Sequence, residues 1–235
     1  MRALLFTTGS PFARGIRIIL DELGLDYERR EEITTPSVQQ RAKATPTLQV
    51  PTFWDGDITL WESTLIADYL LTTYTKRANT SPPLADGIWR TDTQWQDKLL
   101  LSTIQTYGTT VATISQMKTS GVEHDGNMYL TRCVERLPHL MAWLEQQVIG
   151  QNEGFFEHVV SVQDIFLACW IRFIENRPIG LDSGLVNHPK IESLLIRLDQ
   201  RDSFKNNPIL WWEPGVIGYA DDGKTPIYDN STGSS

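Results

Sequence analysis

Arg2-Ala3-Leu4-Leu5-Phe6-Thr7-Thr8-Gly9-Ser10-Pro11-Phe12-Ala13-Arg14-Gly15-Ile16-Arg17-Ile18-Ile19-Leu20 passes from a short apolar run through a small-residue turn into a helical pattern. Arg2 to Thr7 reads as a buried strand. Ser10 has the address of an N-cap, and Pro11 that of the first helical position, where a missing N–H leaves nothing unpaired. Phe12, Ile16, Ile19, Leu20 and Leu23 then recur at helical spacing, and Gly24 supplies the stop. Tyr27 to Ile33 reads as a second strand, and Ser37 to Lys43 as a loop or short helix. Pro51 to Trp54 and Ile58 to Trp61 flank Asp55-Gly56, a tight-turn signal for a hairpin. Ser63 opens another helix, with Leu65, Ile66, Tyr69 and Leu70 expected on its inner face. The order is β-α-β, an irregular segment, then β-β-α.

Beyond this unit the pattern changes. Lys76 to Asp86 contains Ser81-Pro82-Pro83 and no periodicity, which marks a linker. Leu100, Ile104, Tyr107, Val111 and Ile114 follow one long helix, in which Gly108 is expected to permit a bend. Leu130, Cys133, Val134, Leu137, Met141 and Leu144 follow a second helix, which Pro138 is expected to kink. Ser161-Val162-Gln163-Asp164 is a capping-box pattern, with Val160 and Ile165 placed for a hydrophobic staple around it. Ile191, Leu194, Leu195 and Leu198 mark a further helix. The expected division is 1–77, 87–214 and a tail at 215–235 without regular structure.

Composition narrows the function. A formal net charge of −8 with scattered basic residues argues against a surface built to neutralise nucleic-acid phosphates. No apolar run approaches the length of a membrane helix, and the N-terminal apolar stretch is too short for a signal peptide. Cys133 and Cys169 have neither metal-site nor disulfide-framework spacing, so reduced core thiols in a cytoplasmic protein are expected. His124, His139, His158 and His188 form no ligand pair, and no metal is expected.

Three short motifs carry chemistry. A serine hydroxyl at the positive end of a helix can donate to a ligand's sulfur and favour its thiolate. Each unit of thiol pKa lowering requires about 1.4 kcal/mol, within reach of one such bond and a helix terminus. Val50-Pro51 has the place of a cis bond, which turns the preceding backbone N–H and C=O toward an extended peptide ligand. Glu62-Ser63 opens a helix whose N–H groups and hydroxyl suit a carboxylate, with Glu62 able to accept from an ammonium group. Taken singly, each has a plainer reading: Ser10 and Ser63 as caps, Pro51 as an edge-strand proline. Their order within one β-α-β-β-α unit favours the ligand site.

Thr8-Gly9-Ser10-Pro11-Phe12-Ala13-Arg14, Val50-Pro51-Thr52-Phe53 and Leu60-Trp61-Glu62-Ser63-Thr64-Leu65-Ile66-Ala67-Asp68-Tyr69-Leu70 resemble the cytosolic glutathione transferase family, in its serine-type, bacterial-like form. The Ser161–Asp164 box, His188-Pro189 and Arg201-Asp202-Ser203-Phe204 extend the resemblance over most of the chain. It implies a thioredoxin-like α/β N-terminal domain and an all-α C-terminal domain. It further implies a cytoplasmic homodimeric enzyme that joins glutathione, as co-substrate, to a hydrophobic electrophile. By that resemblance Ser10 activates the thiol. Phe12, Gln49, Val50, Pro51, Glu62 and Ser63 complete the glutathione site, with Val50 pairing its backbone to the cysteinyl part and Gln49 reaching the glycyl part. Phe12, Tyr107, Val111 and Trp211 are candidates for the electrophile pocket, with Ser115 and Trp212 near them.

One segment departs from the family pattern. Thr45-Pro46-Thr47-Leu48-Gln49 stands where many members have Asn-Pro-x-Gly-Lys, so Arg41 or Lys43 becomes the candidate partner of the glycyl carboxylate. A non-catalytic glutathione-binding or ligand-binding protein of the same fold is one alternative. A glutathione-dependent isomerase or dehalogenase is another. Thiol-exchange chemistry is disfavoured, because serine cannot form a mixed disulfide.

Overall fold

Strand β1 (Arg2–Phe6) is the spine of the N-terminal half, with Ala3, Leu4 and Phe6 buried. A computed structural model of the chain describes residues 1–7, 9–32, 37–74, 81–150, 152–177 and 179–209, and the backbone of 216–219 and 226–228. β1 pairs in parallel with β2 (Glu28–Glu31) and antiparallel with β3 (Thr52–Asp55), which pairs antiparallel with β4 (Ile58–Trp61). The sheet order is β2-β1-β3-β4. A strand flanked on both sides and covered by helices has to be apolar nearly throughout, and Leu4 opposite Phe53 meets that demand. β2 is shorter than the Tyr27–Ile33 expected; it is an exposed edge of Glu and Arg, a composition that discourages strand addition. Ile33 lies outside the described residues.

The hairpin forms one step later than its turn signal suggested. Asp55 pairs with Ile58, so the two loop residues are Gly56 and Asp57, and Gly56 takes the left-handed φ of +58°. Helix α3 (Ser63–Tyr74) buries Ile66 and Leu70, half-buries Tyr69 and leaves Leu65 exposed, correcting one member of its expected inner face. The segment Ser37 to Lys43 contains a single helical turn, α2 (Val38–Arg41), closed by a Ser37/Gln40 capping box.

The second half is helical. α4 (Gln94–Thr119), α5 (Met128–Gln147), α6 (Val162–Glu175) and α7 (Pro189–Asp199) are followed by the short α8 (Asp202–Lys205). α5 runs on past Pro138, whose side chain is exposed. The stretch meant as linker docks at its C-terminal end: Leu84 and Ala85 are buried, and Ala85 N–H donates to the Val160 carbonyl at 2.9 Å. The tail departs from expectation, because Val216–Tyr219 (β5) and Pro226–Tyr228 (β6) pair antiparallel. Both carry β-forming residues, a signal that the surrounding Gly and Asp concealed.

α6 is buried on every side from Val162 to Ile171, as a central helix must be. Two glycines let its rings approach neighbouring backbones. A Cβ on Gly15 of helix α1 (Pro11–Glu22) would stand 2.4 Å from Phe166, and one on Gly108 of α4 would stand 2.1 Å from the Trp170 indole. Gly108 therefore makes room for an indole; no bend is needed to account for it.

The expected capping box closes the N-terminus of α6. Asp164 N–H donates to Ser161 Oγ at 3.1 Å, while the carboxylate accepts from Ser161 N–H at 2.7 Å and Phe155 N–H at 2.9 Å. Val160 and Ile165, the staple pair, are both buried. Burial pushes the Asp164 carboxyl up to about 6, against the pull of these donors. Asp164→Ala leaves two buried N–H groups unpaired and is expected to lower unfolding stability by about 3 kcal/mol in urea titration. A loss under about 1 kcal/mol would contradict this role.

Candidate functional site

Ser10 ends the loop after β1 in extended conformation and caps α1. Its Oγ accepts from Ala13 N–H at 3.3 Å, its N–H donates to the Thr7 carbonyl at 3.1 Å, and its carbonyl accepts from Arg14 N–H at 2.9 Å. A hydroxyl has one proton to give and two lone pairs, so accepting from Ala13 leaves the proton available. Capping and donation to a ligand are thus compatible. The first turn of α1 contains no acidic side chain to offset the helix's positive end. Ser10 is half-buried, accessible yet partly shielded.

Val50-Pro51 is cis, as its position suggested. Pro51 is buried and leads directly into β3, whose first residue Thr52 lies opposite Trp61. Val50 is half-buried, and Gln49 is exposed beside it.

At the start of α3, Ser63 is buried while Glu62 before it is exposed. The Glu62 carbonyl accepts from Ile66 N–H at 3.0 Å and so begins the helix. Glu62 also takes φ of +72°, a left-handed conformation that disfavours a residue with a Cβ. Such a residue persists only where its surroundings hold it, and such outliers concentrate at ligand sites. No sequence signal announces this strain, because the residue is not glycine.

The departing segment has its own scaffold. Thr45 is buried, its Oγ1 accepts from Thr47 N–H at 3.3 Å, and the two hydroxyls lie 2.9 Å apart. Leu48 adopts φ of +59°, so leucine occupies a conformation that suits the glycine common elsewhere in the resembled pattern. Arg41 forms an ion pair with Glu32 at the base of this segment, and Lys43 is exposed.

The helical half meets the Ser10 loop through aromatic side chains. Phe12 is half-buried with its ring edge-on to Trp170, centroids 4.6 Å apart. Tyr107 and Val111, expected to line a pocket, sit in the core at 1 and 0% exposure. That burial pushes the Tyr107 phenol upward, and neither residue presents surface to a bound molecule in this arrangement. Ser115 is half-buried, and Trp211 and Trp212 lie outside the described residues. Sequence reasoning missed Arg177. Its Nη2 donates to the Gly9 carbonyl at 3.3 Å, from just beyond α6. A cavity of about 540 Å³ opens elsewhere, between Asp21, Glu22, Pro82, Arg197 and Arg201 at the far end of α1. Glu22 and Arg201 pair with one another there.

Among the described residues, no group of three His, Cys, Asp or Glu side chains is placed to hold a metal ion. No helix among them is long and apolar enough to cross a membrane.

Residues 4–78 match the family model of the glutathione S-transferase N-terminal domain. No curated protein matches the chain. Among solved structures it is similar to a glutathione S-transferase from Methylobacterium radiotolerans in complex with glutathione sulfonate. That likeness has a TM-score of 0.73 at 21% identity, over 88% of this chain and 93% of the other. It is also similar to one from Methylobacillus flagellatus with glutathione bound, at TM-score 0.70 and 20% identity over 88 and 98% of the two chains. A glutathione S-transferase from Rhodospirillum rubrum gives 0.69 and 18% over 91 and 94%. At these identities the likeness shows the fold. The thioredoxin-like half followed by a helical half, expected from the motifs, is the architecture observed.

The exposed left-handed Leu48 makes a local prediction. Leu48→Gly removes the Cβ strain at the expense of some chain entropy, so stability is expected to rise by about 0.5–1 kcal/mol in thermal or urea unfolding. Lower stability would mean that the leucine side chain makes contacts that outweigh its strain.

Proposed function

We propose that this protein is a glutathione transferase of the serine type, which binds glutathione along its N-terminal half and uses the Ser10 hydroxyl to keep the thiol ionised. The observation that carries the reading is the state of Ser10: it caps α1 as an acceptor and retains a proton to donate at the helix's positive end. In this reading Ser63 and the N–H groups opening α3 hold the γ-glutamyl carboxylate, and Glu62 accepts from the neighbouring ammonium. Val50 offers backbone pairing to the cysteinyl residue, with Pro51 fixing its direction. Gln49 reaches the glycyl end.

The residues divide the work simply. Ser10 donates to sulfur and lowers the thiol pKa from the usual cysteine value of about 8.5, which raises the thiolate fraction at neutral pH. The thiolate is the nucleophile toward an electrophilic carbon. Phe12, with Trp170 behind it, offers an apolar wall for a hydrophobic acceptor. Catalysis is then thiol activation plus proximity. Arg41 is ion-paired with Glu32, so the exposed Lys43 is the freer cation for the glycyl carboxylate. A cytoplasmic homodimer belongs to the same proposal.

Ser10→Ala is expected to leave glutathione affinity nearly unchanged and to lower turnover with a chlorodinitrobenzene acceptor by about tenfold or more. Turnover equal to wild type would remove Ser10 from the mechanism. Binding without turnover in the wild-type protein would instead favour a non-catalytic glutathione-binding module.

A further inference from the structure

Arg177 stands one residue past the C-cap of α6 and folds back over Phe173, with its guanidinium 5.1 Å from the ring centroid. From there Nη2 donates to the Gly9 carbonyl at 3.3 Å. That carbonyl and the Ser10 N–H are the two edges of one planar peptide group. The N–H edge donates to the Thr7 carbonyl at 3.1 Å. The peptide entering Ser10 is therefore held on both edges, one bond coming from the loop itself and the other from the helical half.

On the far side of Ser10 the grip repeats. Phe12 meets Trp170 edge-on at 4.6 Å, and Trp170 meets Phe173 at 5.9 Å. Gly9, Arg177, Phe173, Trp170 and Phe12 thus form a series of contacts whose two ends are joined through the main chain of Ser10 and Pro11. Every member contributed by the helical half lies on α6 or just beyond it.

We propose that Arg177 is a positioning residue for Ser10, a role that rests on the thiol-activating function argued above. The guanidinium fixes the peptide plane from which the Ser10 side chain departs, and so fixes the direction in which its hydroxyl donates. It also places a permanent positive charge on the peptide group that precedes that hydroxyl, which favours an anion nearby. Arginine suits the position because its planar group stacks on a ring and donates in the same pose, which an ammonium does less well.

The test compares wild type with Arg177→Met and Arg177→Lys. The pH titration of thiolate ultraviolet absorbance in the glutathione complex is measured alongside kcat with a chlorodinitrobenzene acceptor. In R177M the bound thiol pKa is expected to rise by about half a unit or more, and kcat to fall about tenfold. R177K is expected to restore most of the thiol pKa but only part of kcat. An R177M protein with wild-type thiol pKa and kcat would overturn the proposal, even if its melting temperature had changed. Should R177M fail to fold, R177K decides alone, and a wild-type kcat in it overturns the proposal. A wild-type protein with no thiolate titration in glutathione would overturn the transferase reading first, before any variant is compared.

Discussion

Helix α1 is the part on which the two halves depend. Its N-cap is Ser10, its middle packs Gly15 against Phe166 of α6, and its last turn carries Glu22, nearly excluded from solvent. Arg201 holds Glu22 through two bonds at 2.7 and 2.6 Å and also donates to the Pro82 carbonyl. Arg14 reaches from the same helix to the Asn207 carbonyl at 2.7 Å and lies over the Phe204 ring. A buried carboxylate left without its guanidinium is strongly unfavourable, so the C-terminal end of α1 is bound firmly to the helical half. The serine at the other end inherits that rigidity.

The consequence is a division between scaffold and site. The rigid parts are the apolar β1, the all-round buried α6 and the capping box that starts it. Left-handed strain falls at Leu48 and Glu62, both exposed, on the two segments that flank β3 and β4, and also at the exposed His158 ahead of α6. Strain held at exposed positions by a well-packed frame is the pattern of a preorganised binding edge.

Much of this frame was legible in the sequence because its signals are local. Ser10-Pro11, Val50-Pro51 and the Ser161–Asp164 box each act through backbone chemistry within a few residues and form as read, while the hairpin forms one residue later than its turn signal. Other features had no local signature. The Arg201 partner of Glu22 and the Arg177 partner of Gly9 lie far along the chain, and no periodicity selects them. Gly108 has the look of a helix-loosening residue until the indole of Trp170 is placed against it. Tyr107 and Val111 share the spacing of any inward helix face, so position along α4 could not separate a pocket wall from the core. The Glu62 strain was hidden because its residue type normally avoids that conformation.

Thiol activation by Ser10 depends on a single contact, and a crystal structure of the protein with glutathione measures it. The ligand's sulfur is expected within about 3–4 Å of Ser10 Oγ, with the γ-glutamyl end at the start of α3. A sulfur turned away from that hydroxyl, or a tripeptide bound elsewhere on the molecule, would contradict it.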